Sequence, residues 1–200
     1  MIRQIVFATN NIHKLSELRA VVGNSLSVLS LADIDCHDDI PETGSTLEEN
    51  SMIKARWVKD RYGYDCIADD TGLEVEALGG EPGVRSARYA PGEGHDSLAN
   101  MNLLLANMEG KDNRRACFRT VITLLSDSMG CHVVEGRVDG VISCEPKGDN
   151  GFGYDPVFIP DESPAGEAGL SFAQMDSDAK NSISHRGRAV RALLSLLKSL

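Results

Sequence analysis

Short apolar runs and helical repeats alternate along the chain and predict its strands and helices. Residues 4–8 are β-branched and aromatic, which is typical of a buried strand, and residues 26–31 predict a second strand. Between them, Leu15, Leu18 and Val22 recur at helical spacing. Two helices are predicted next, one from Thr46 to about Arg61 and one capped by Ser97 with Leu98, Met101, Leu105 and Met108 on one face. A hairpin of residues 116–125 and 131–138 follows, and then a turn at residues 139–140. The last predicted elements are a strand at residues 157–159 and a final helix capped by Ser184.

The turn after the first strand carries the first candidate binding groups. Either Asn10 or Asn11 can cap the helix that follows, and the N–H groups at a helix start point at an anion. Thr9 and Asn11 add neutral donors, and Lys14 adds a positive charge one turn later. Because this turn lacks the glycine spacing of known phosphate-binding loops, an ordinary capped helix with a surface lysine is the alternative.

Two adjacent aspartates follow a third apolar run. Residues 66–68 are long enough for the end of a buried strand and too short for a helix. Asp69, Asp70 and Thr71 come next, and Gly72 then lets the backbone turn. Since adjacent carboxylates repel each other, a fold that keeps both usually gives them a cation to share. The alternative is a solvated turn.

The helix after Thr46 accounts for one nearby acid and leaves another unexplained. Thr46 and Glu49 have the spacing of a capping box, which explains Glu49 without a catalytic role. Glu42 is left to face the aspartate pair. Asn50 and Lys54 lie four residues apart and share a stripe of the helix, although a solvated helix lysine is the alternative for Lys54.

Residues 148–156 form a glycine-rich loop around one aromatic residue. The glycines on both sides of Phe152 let the backbone approach a flat ligand, and an exposed ring there can stack on a base. A hairpin loop with a half-buried aromatic is the alternative. Further along, Lys180, His185 and Arg186 place three donors around one predicted helix N-terminus. Because the helix dipole disfavours cations there, the cluster indicates an acceptor-rich partner.

Composition limits the classes of partner. The net charge is −10, with 30 acidic against 20 basic residues, which argues against nucleic acid and membrane surfaces but not against a single nucleotide. The 200 residues, 42% hydrophobic, fit one large domain or two joined lobes.

Five scattered cysteines without paired spacing indicate free thiols in a reducing compartment. With neither a signal-peptide pattern nor an apolar run long enough to span a membrane, a cytoplasmic location is expected.

Six motifs, taken in order along the chain, resemble one family. They are Ala8-Thr9-Asn10-Asn11-x-x-Lys14, Glu42-Thr43-Gly44-x-Thr46-x-x-Glu49-Asn50-x-x-x-Lys54-Ala55, Ala68-Asp69-Asp70-Thr71-Gly72-Leu73, Gly79-Gly80-x-Pro82-Gly83-Val84-x-Ser86-Ala87-Arg88-Tyr89, Gly151-Phe152-Gly153-Tyr154-Asp155-Pro156 and Ser184-His185-Arg186. The chain resembles the inosine/xanthosine triphosphate pyrophosphatases, which remove deaminated purine nucleotides. It departs from the family pattern at Thr71, where serine is usual, and in a short polar segment at residues 161–179.

The resemblance implies an α/β fold with a long twisted mixed β-sheet flanked by helices. Residues 1–200 would form a single domain of two lobes, with the nucleotide in the cleft between them, and family members are usually homodimers. The implied reaction is hydrolysis of dITP, ITP and XTP to the nucleoside monophosphate and pyrophosphate. Two alternatives remain open: an enzyme of the same fold that acts on pyrimidine triphosphates, and a nucleotide-binding module without catalysis.

The resemblance also implies a role for each motif residue. The triphosphate would be held by Thr9, Asn10, Asn11, Lys14 and Lys54. Glu42 and Asp70, with Asp69 close by, would hold Mg²⁺, and Asp70 would position or deprotonate the attacking water. Phe152 would stack on the purine. The other residues expected to contact the substrate or read the base edge are Thr71, Gly153, Tyr154, Asp155, Lys180, His185 and Arg186.

Overall fold

A computed structural model describes residues 4–92, 96–164 and 167–200. The strands are β1 (Gln4–Phe7), β2 (Ser27–Leu29), β3 (Cys66–Val75), β4 (Pro82–Gly83), β5 (Arg115–Ser126), β6 (Gly130–Ile142) and β7 (Phe158–Pro160). The α-helices are α1 (Ile12–Val22), α2 (Leu47–Tyr62), α3 (Ser97–Asn107), α4 (Ser177–Ile183) and α5 (His185–Ser199). The predicted loop at residues 161–170 includes residues 165 and 166, which lie outside the described ranges.

The strands form one mixed sheet in the order β2-β1-β3-β5-β6-β7, with β4 paired to β3. β1 runs parallel to β2 and β3, whereas β4 is antiparallel to β3 and β7 is antiparallel to β6. The prediction of a mixed sheet flanked by helices is therefore confirmed. Within the described ranges, no helix is both long and apolar enough to cross a membrane.

The chain divides into two compact units, and the first is a three-layer arrangement. It comprises residues 1–70, 120–136 and 186–200. Alternate residues of β1 face opposite sides: Ile5 and Phe7 pack with the apolar residues of α1 and α5, whereas Val6, together with Ala8 just after the strand, packs with those of α2. This alternation follows from the two-residue period of a strand.

The second unit comprises residues 71–119 and 137–185 and has its own core. There, Met101 and Leu104 of α3 and Met108 just after it pack with apolar residues of β3, β5 and β6. Three aromatic rings complete this core, with Phe118 and Phe158 edge to face at 4.7 Å and Phe172 beside them.

Three local predictions are wrong. Gly72 does not turn the chain, because β3 continues from Cys66 to Val75. The turn predicted at residues 139–140 lies inside β6, where Gly140 pairs with Pro160 and a Cβ on Gly140 would collide with the backbone of the partner strand. The cap of α3 is Asp96 rather than Ser97, since the Asp96 carboxylate accepts from the Ala99 N–H at 2.9 Å, and Leu98 is 62% exposed.

Candidate active site

The turn after β1 has the predicted capped geometry, with Asn11 as the cap. The Asn11 Oδ1 accepts from the backbone N–H groups of His13 and Lys14 at 3.0 and 3.2 Å. The Thr9 hydroxyl oxygen in turn accepts from the Asn11 N–H at 3.1 Å. Asn10 is exposed beside them. These bonds start α1 so that Lys14 points toward β3.

Asp69 is buried in a network of cations at the middle of β3. Its carboxylate accepts from Lys14 Nζ at 3.1 Å and from Arg186 Nε at 3.3 Å, and only 1% of Asp69 is exposed. Arg186 also donates to Glu17 of α1. Burial raises the pKa of Asp69, but the charges of Lys14 and Arg186 outweigh this effect and hold the pKa well below its usual range. Asp69 is therefore an ionised anchor for two cations.

Asp70 points to the other side of β3 and meets α2. Asn50 Nδ2 donates to Asp70 Oδ2 at 3.0 Å, and Lys54 Nζ lies 3.6 Å from Asp70 Oδ1. The same Nζ donates to Glu42 Oε1 at 2.5 Å. Lys54 is buried, so the solvated alternative is excluded. Burial raises the pKa of Asp70, Glu42 raises it further, and the positive charges of Lys54 and Lys14 oppose them without cancelling the shift.

The two adjacent aspartates thus contact different cations. Consecutive side chains of a strand point to opposite faces, so Asp69 meets α1 and α5 while Asp70 meets α2. The cation expected to be shared by the two carboxylates stays a prediction. Glu42 and Asp70 instead converge on the ammonium group of Lys54.

In the second unit, the loop around Phe152 is fixed by one buried carboxylate. Asp155 Oδ2 accepts from the Phe152 N–H at 2.8 Å and from Lys180 Nζ at 2.9 Å. Gly151 has a φ of 75°, and a Cβ there would collide with the Asp155 carboxylate. Lys180 Nζ lies 5.0 Å from the centre of the Phe152 ring. The half-buried ring of Phe152 therefore lies beside the buried Lys180 of α4.

The remaining predicted base-binding residues have their own partners. The Tyr154 hydroxyl donates to the Ser86 carbonyl at 2.8 Å, and the His185 ring stacks on Phe118 with 4.5 Å between centroids. Thr71 is half-buried in β3, and Gly153 has a φ of 65°.

The predicted cluster of three donors at one helix N-terminus is wrong. Lys180 belongs to α4, a separate helix that ends at Ile183, and it pairs with Asp155. Arg186, in the first turn of α5, pairs with Asp69 and Glu17. Each cation is therefore already neutralised by a carboxylate, which is how a helix start tolerates the charge of Arg186.

Comparison with known proteins places the chain in a family. The sequence profile of the Ham1 family matches residues 5–196. The chain belongs to the Ham1 family. It is 49% identical to the dITP/XTP pyrophosphatase of Porphyromonas gingivalis over 97% of both chains, and 47% identical to that of Flavobacterium psychrophilum over 98% of this chain and 100% of the relative.

Solved structures agree with this assignment to the Ham1 family. The Staphylococcus aureus Ham1 protein superposes with a TM-score of 0.85 at 36% identity, covering 98% of both chains. A nucleoside-triphosphatase / dITP/XTP pyrophosphatase from Mycobacterium abscessus superposes with a TM-score of 0.74 at 40% identity, covering 96% of this chain and 98% of the other. The resemblance based on six motifs is confirmed.

Two residues of this Ham1 chain carry structural roles that the sequence did not reveal. Glu17 lies three residues after Lys14 on α1 and pairs with Arg186, and that helical spacing was the available signal. Asn50 was placed on the stripe of Lys54, but its bond to Asp70 depends on a strand 20 residues away.

The donor set fits a hard divalent cation at one place. Glu42 and Asp70 contribute carboxylate oxygens that converge on one positive charge, and such oxygens are the ligands that Mg²⁺ prefers. Asp69 does not converge with them. In the part of the chain that the structure describes, no three acidic, histidine or cysteine side chains are grouped closely enough to hold a metal without other ligands. Phosphate oxygens or water would have to complete the coordination.

Proposed function

We propose that the chain hydrolyses dITP, ITP and XTP to the nucleoside monophosphate and pyrophosphate. The observation that carries this proposal is 49% identity over 97% of the chain to a dITP/XTP pyrophosphatase, together with the cation and carboxylate residues gathered on β3. Breaking the anhydride between the α- and β-phosphates depends on positioning and charge neutralisation, which these residues can supply. The proposed reaction needs no covalent intermediate.

The first unit would bind the triphosphate and activate water. At the N-terminus of α1, Thr9, Asn10 and Asn11 would supply polar groups, and the His13 and Lys14 N–H groups would exchange the Asn11 side chain for a phosphate oxygen. Lys14 and Lys54 would exchange carboxylate partners for phosphate oxygens. Asp70 would accept a proton from the attacking water, and its raised pKa makes it a stronger base than an exposed aspartate.

Glu42 and Asp70 are the proposed ligands of Mg²⁺, with Asp69 acting nearby through its cations. When bound, the ion would supply positive charge to the phosphate oxygens. Asp69, which accepts from Lys14 and Arg186, would hold Arg186 while Lys14 turns to the phosphates.

The second unit would recognise the purine. Phe152 would stack on the base, and Lys180 and His185 would act as donors toward it, with Thr71, Gly153, Tyr154 and Asp155 shaping the contact. Arg186, which belongs to the first unit, is the remaining proposed donor. Inosine and xanthosine present a carbonyl acceptor at the 6-position, whereas adenine presents an amino donor there. Lysine and arginine offer donors only, so adenine would leave donors facing each other at roughly 1–3 kcal/mol for each missing bond.

We also propose a cytoplasmic location and a homodimer. The location is supported by the cysteines, which are all free. The homodimer is an expectation from the family resemblance, and sedimentation of the purified protein would test it.

The test is pyrophosphate release from a panel of triphosphates. Inosine, xanthosine, adenosine, guanosine, cytidine and uridine triphosphates are compared at equal concentration with Mg²⁺, and chromatography identifies the products. The proposal expects release with inosine and xanthosine well above the other four. Preference for cytidine or uridine would favour the pyrimidine alternative, and binding without release would favour a non-catalytic module.

A further inference from the structure

Asn50 connects two parts of the first unit that carry the proposed catalytic carboxylates. Its Nδ2 donates to Asp70 Oδ2 at 3.0 Å, and its Oδ1 accepts from the Gly44 N–H at 2.8 Å. Only 1% of Asn50 is exposed. Gly44 lies two residues after Glu42, so one buried amide joins the Glu42 segment to Asp70.

The orientation of the Asn50 amide is determined by these two partners. A backbone N–H can only donate, so it takes the amide oxygen; the nitrogen is then left for the carboxylate, which accepts. The contact with residue 44 is close, because a Cβ there would lie 2.9 Å from Asn50 Oδ1 and 2.6 Å from Glu49 Cβ. Glycine at this position lets the loop approach α2 closely enough for the bond.

We propose that Asn50 is a positioning residue that sets Asp70 and the Glu42 loop relative to each other. This inference rests on the proposed function. With Oδ2 bonded to Asn50, the Asp70 carboxylate cannot rotate freely, and Oδ1 is directed toward Lys54. The same amide fixes the backbone beside Glu42, whose carboxylate meets the same ammonium group. Asn50 itself needs no contact with the substrate.

Two substitutions test the bond to Asp70 and the bond from the Gly44 N–H separately. Asn50→Ala removes both bonds. Asn50→Asp keeps an acceptor for the Gly44 N–H but replaces the donor to Asp70 by an oxygen that repels it. The matched control is Ser51→Ala, because Ser51 is equally buried on the next position of α2 and bonds to Thr123 and the Glu48 carbonyl instead.

The experiment measures kcat and KM for inosine triphosphate and, separately, urea unfolding of each variant. We expect kcat to fall roughly ten- to a hundred-fold in both Asn50 variants, as for a lost bond to a charged group, with KM within about threefold of wild type. Ser51→Ala should keep its kcat although it loses stability. In an Asp70→Asn background, Asn50→Ala should cause a smaller loss of kcat than in the wild type, because the carboxylate that Asn50 orients is absent and only the bond to the Glu42 loop is still lost.

Several outcomes would overturn the inference. They are an unchanged kcat, an equal loss of kcat in Ser51→Ala, and a full further loss in the Asp70→Asn background. Failure of both Asn50 variants to fold while Ser51→Ala folds would make Asn50 a stability residue only. If the wild-type protein hydrolyses none of the triphosphates, the proposed function fails instead, so the two failures are distinguishable.

Discussion

Two adjacent residues on β3 have pKa values shifted in opposite directions. Asp69 and Asp70 have the same side chain and adjacent positions, yet the pKa of Asp69 is lowered and that of Asp70 is raised. Burial raises the pKa of both carboxyl groups, but two bonded cations outweigh it at Asp69, whereas Asp70 shares Lys54 with Glu42 and its pKa stays raised. An ionised anchor and a stronger base are thus obtained from one repeated residue type.

The first prediction concerns the proposed base. Asp70→Asn should retain the fold and most nucleotide affinity, since Lys14 and the start of α1 are unchanged. The loss of a general base should lower kcat by roughly 10²–10⁴-fold. Steady-state kinetics with inosine triphosphate and calorimetric binding measure the two effects. The control is Asp161→Asn, which alters an exposed carboxylate paired with Arg115 and should leave kcat unchanged. A near wild-type rate for Asp70→Asn would remove Asp70 from the reaction.

At the scale of elements, caps decide where helices begin. The α3 cap was predicted at Ser97, but the bond to the Ala99 N–H comes from Asp96. Asp96→Ala should therefore lower the free energy of unfolding by about 1 kcal/mol, because the N–H at the helix start loses its acceptor. Ser97→Ala should change it little, since alanine is a good helix former. Urea unfolding measures the loss of unfolding free energy in each variant. A larger loss in Ser97→Ala than in Asp96→Ala would show that Ser97 is the cap.

The contacts of β3 explain which parts of the structure the sequence could predict. The spacing of apolar residues correctly located β1, α1 and α2, because the buried residues of each element recur at regular intervals within one short stretch of sequence. The polar run after Ala68 predicted a turn, yet the strand continues. It continues because Asp69 is neutralised by Lys14 and Arg186, which lie 55 and 117 residues away in sequence. Such pairings are set by the tertiary fold, and local composition does not encode them.

Asp69 also ties three elements together, and this should appear in the pH dependence of stability. Because its pKa is lower in the folded than in the unfolded chain, the ionised group stabilises the fold above about pH 4, and this contribution is lost as the pH falls further. The stability gap between wild type and Asp69→Asn should therefore narrow below about pH 4. Urea unfolding from pH 6 to pH 2.5 measures the gap.

The control for these unfolding measurements is Asp161→Asn. Asp161→Asn changes a half-exposed bidentate pair with Arg115, which solvent screens more than the buried pairs of Asp69, so its gap at neutral pH should be smaller than that of Asp69→Asn. If the gap between wild type and Asp69→Asn stays constant or widens in acid, the pairing of Asp69 with Lys14 and Arg186 does not stabilise the fold.

At the scale of the whole molecule, the proposed functional groups are divided between two separately packed units. The chain passes from one unit to the other after Asp70 and again after His185, among other points. The phosphate-side carboxylates and cations therefore belong to the first unit and the Phe152 loop to the second. Asp70 and Thr71 are adjacent in sequence but belong to different units. Hydrophobic patterning alone does not reveal this boundary between the units.

Charge balance leads to the last prediction. The whole chain carries a net charge of −10, and near the proposed phosphate site three cations, Lys14, Lys54 and Arg186, are already paired with four carboxylates, Glu17, Glu42, Asp69 and Asp70. A triphosphate added to this set, which already has one carboxylate more than it has cations, brings several further negative charges, so we expect that a divalent ion is needed to bind it. Chelator should abolish pyrophosphate release from inosine triphosphate, and excess Mg²⁺ should restore it. Ca²⁺ should substitute poorly, because its coordination is longer and looser. Thermal unfolding in chelator checks that the fold persists, and full activity there would remove Glu42 and Asp70 from any metal-binding role.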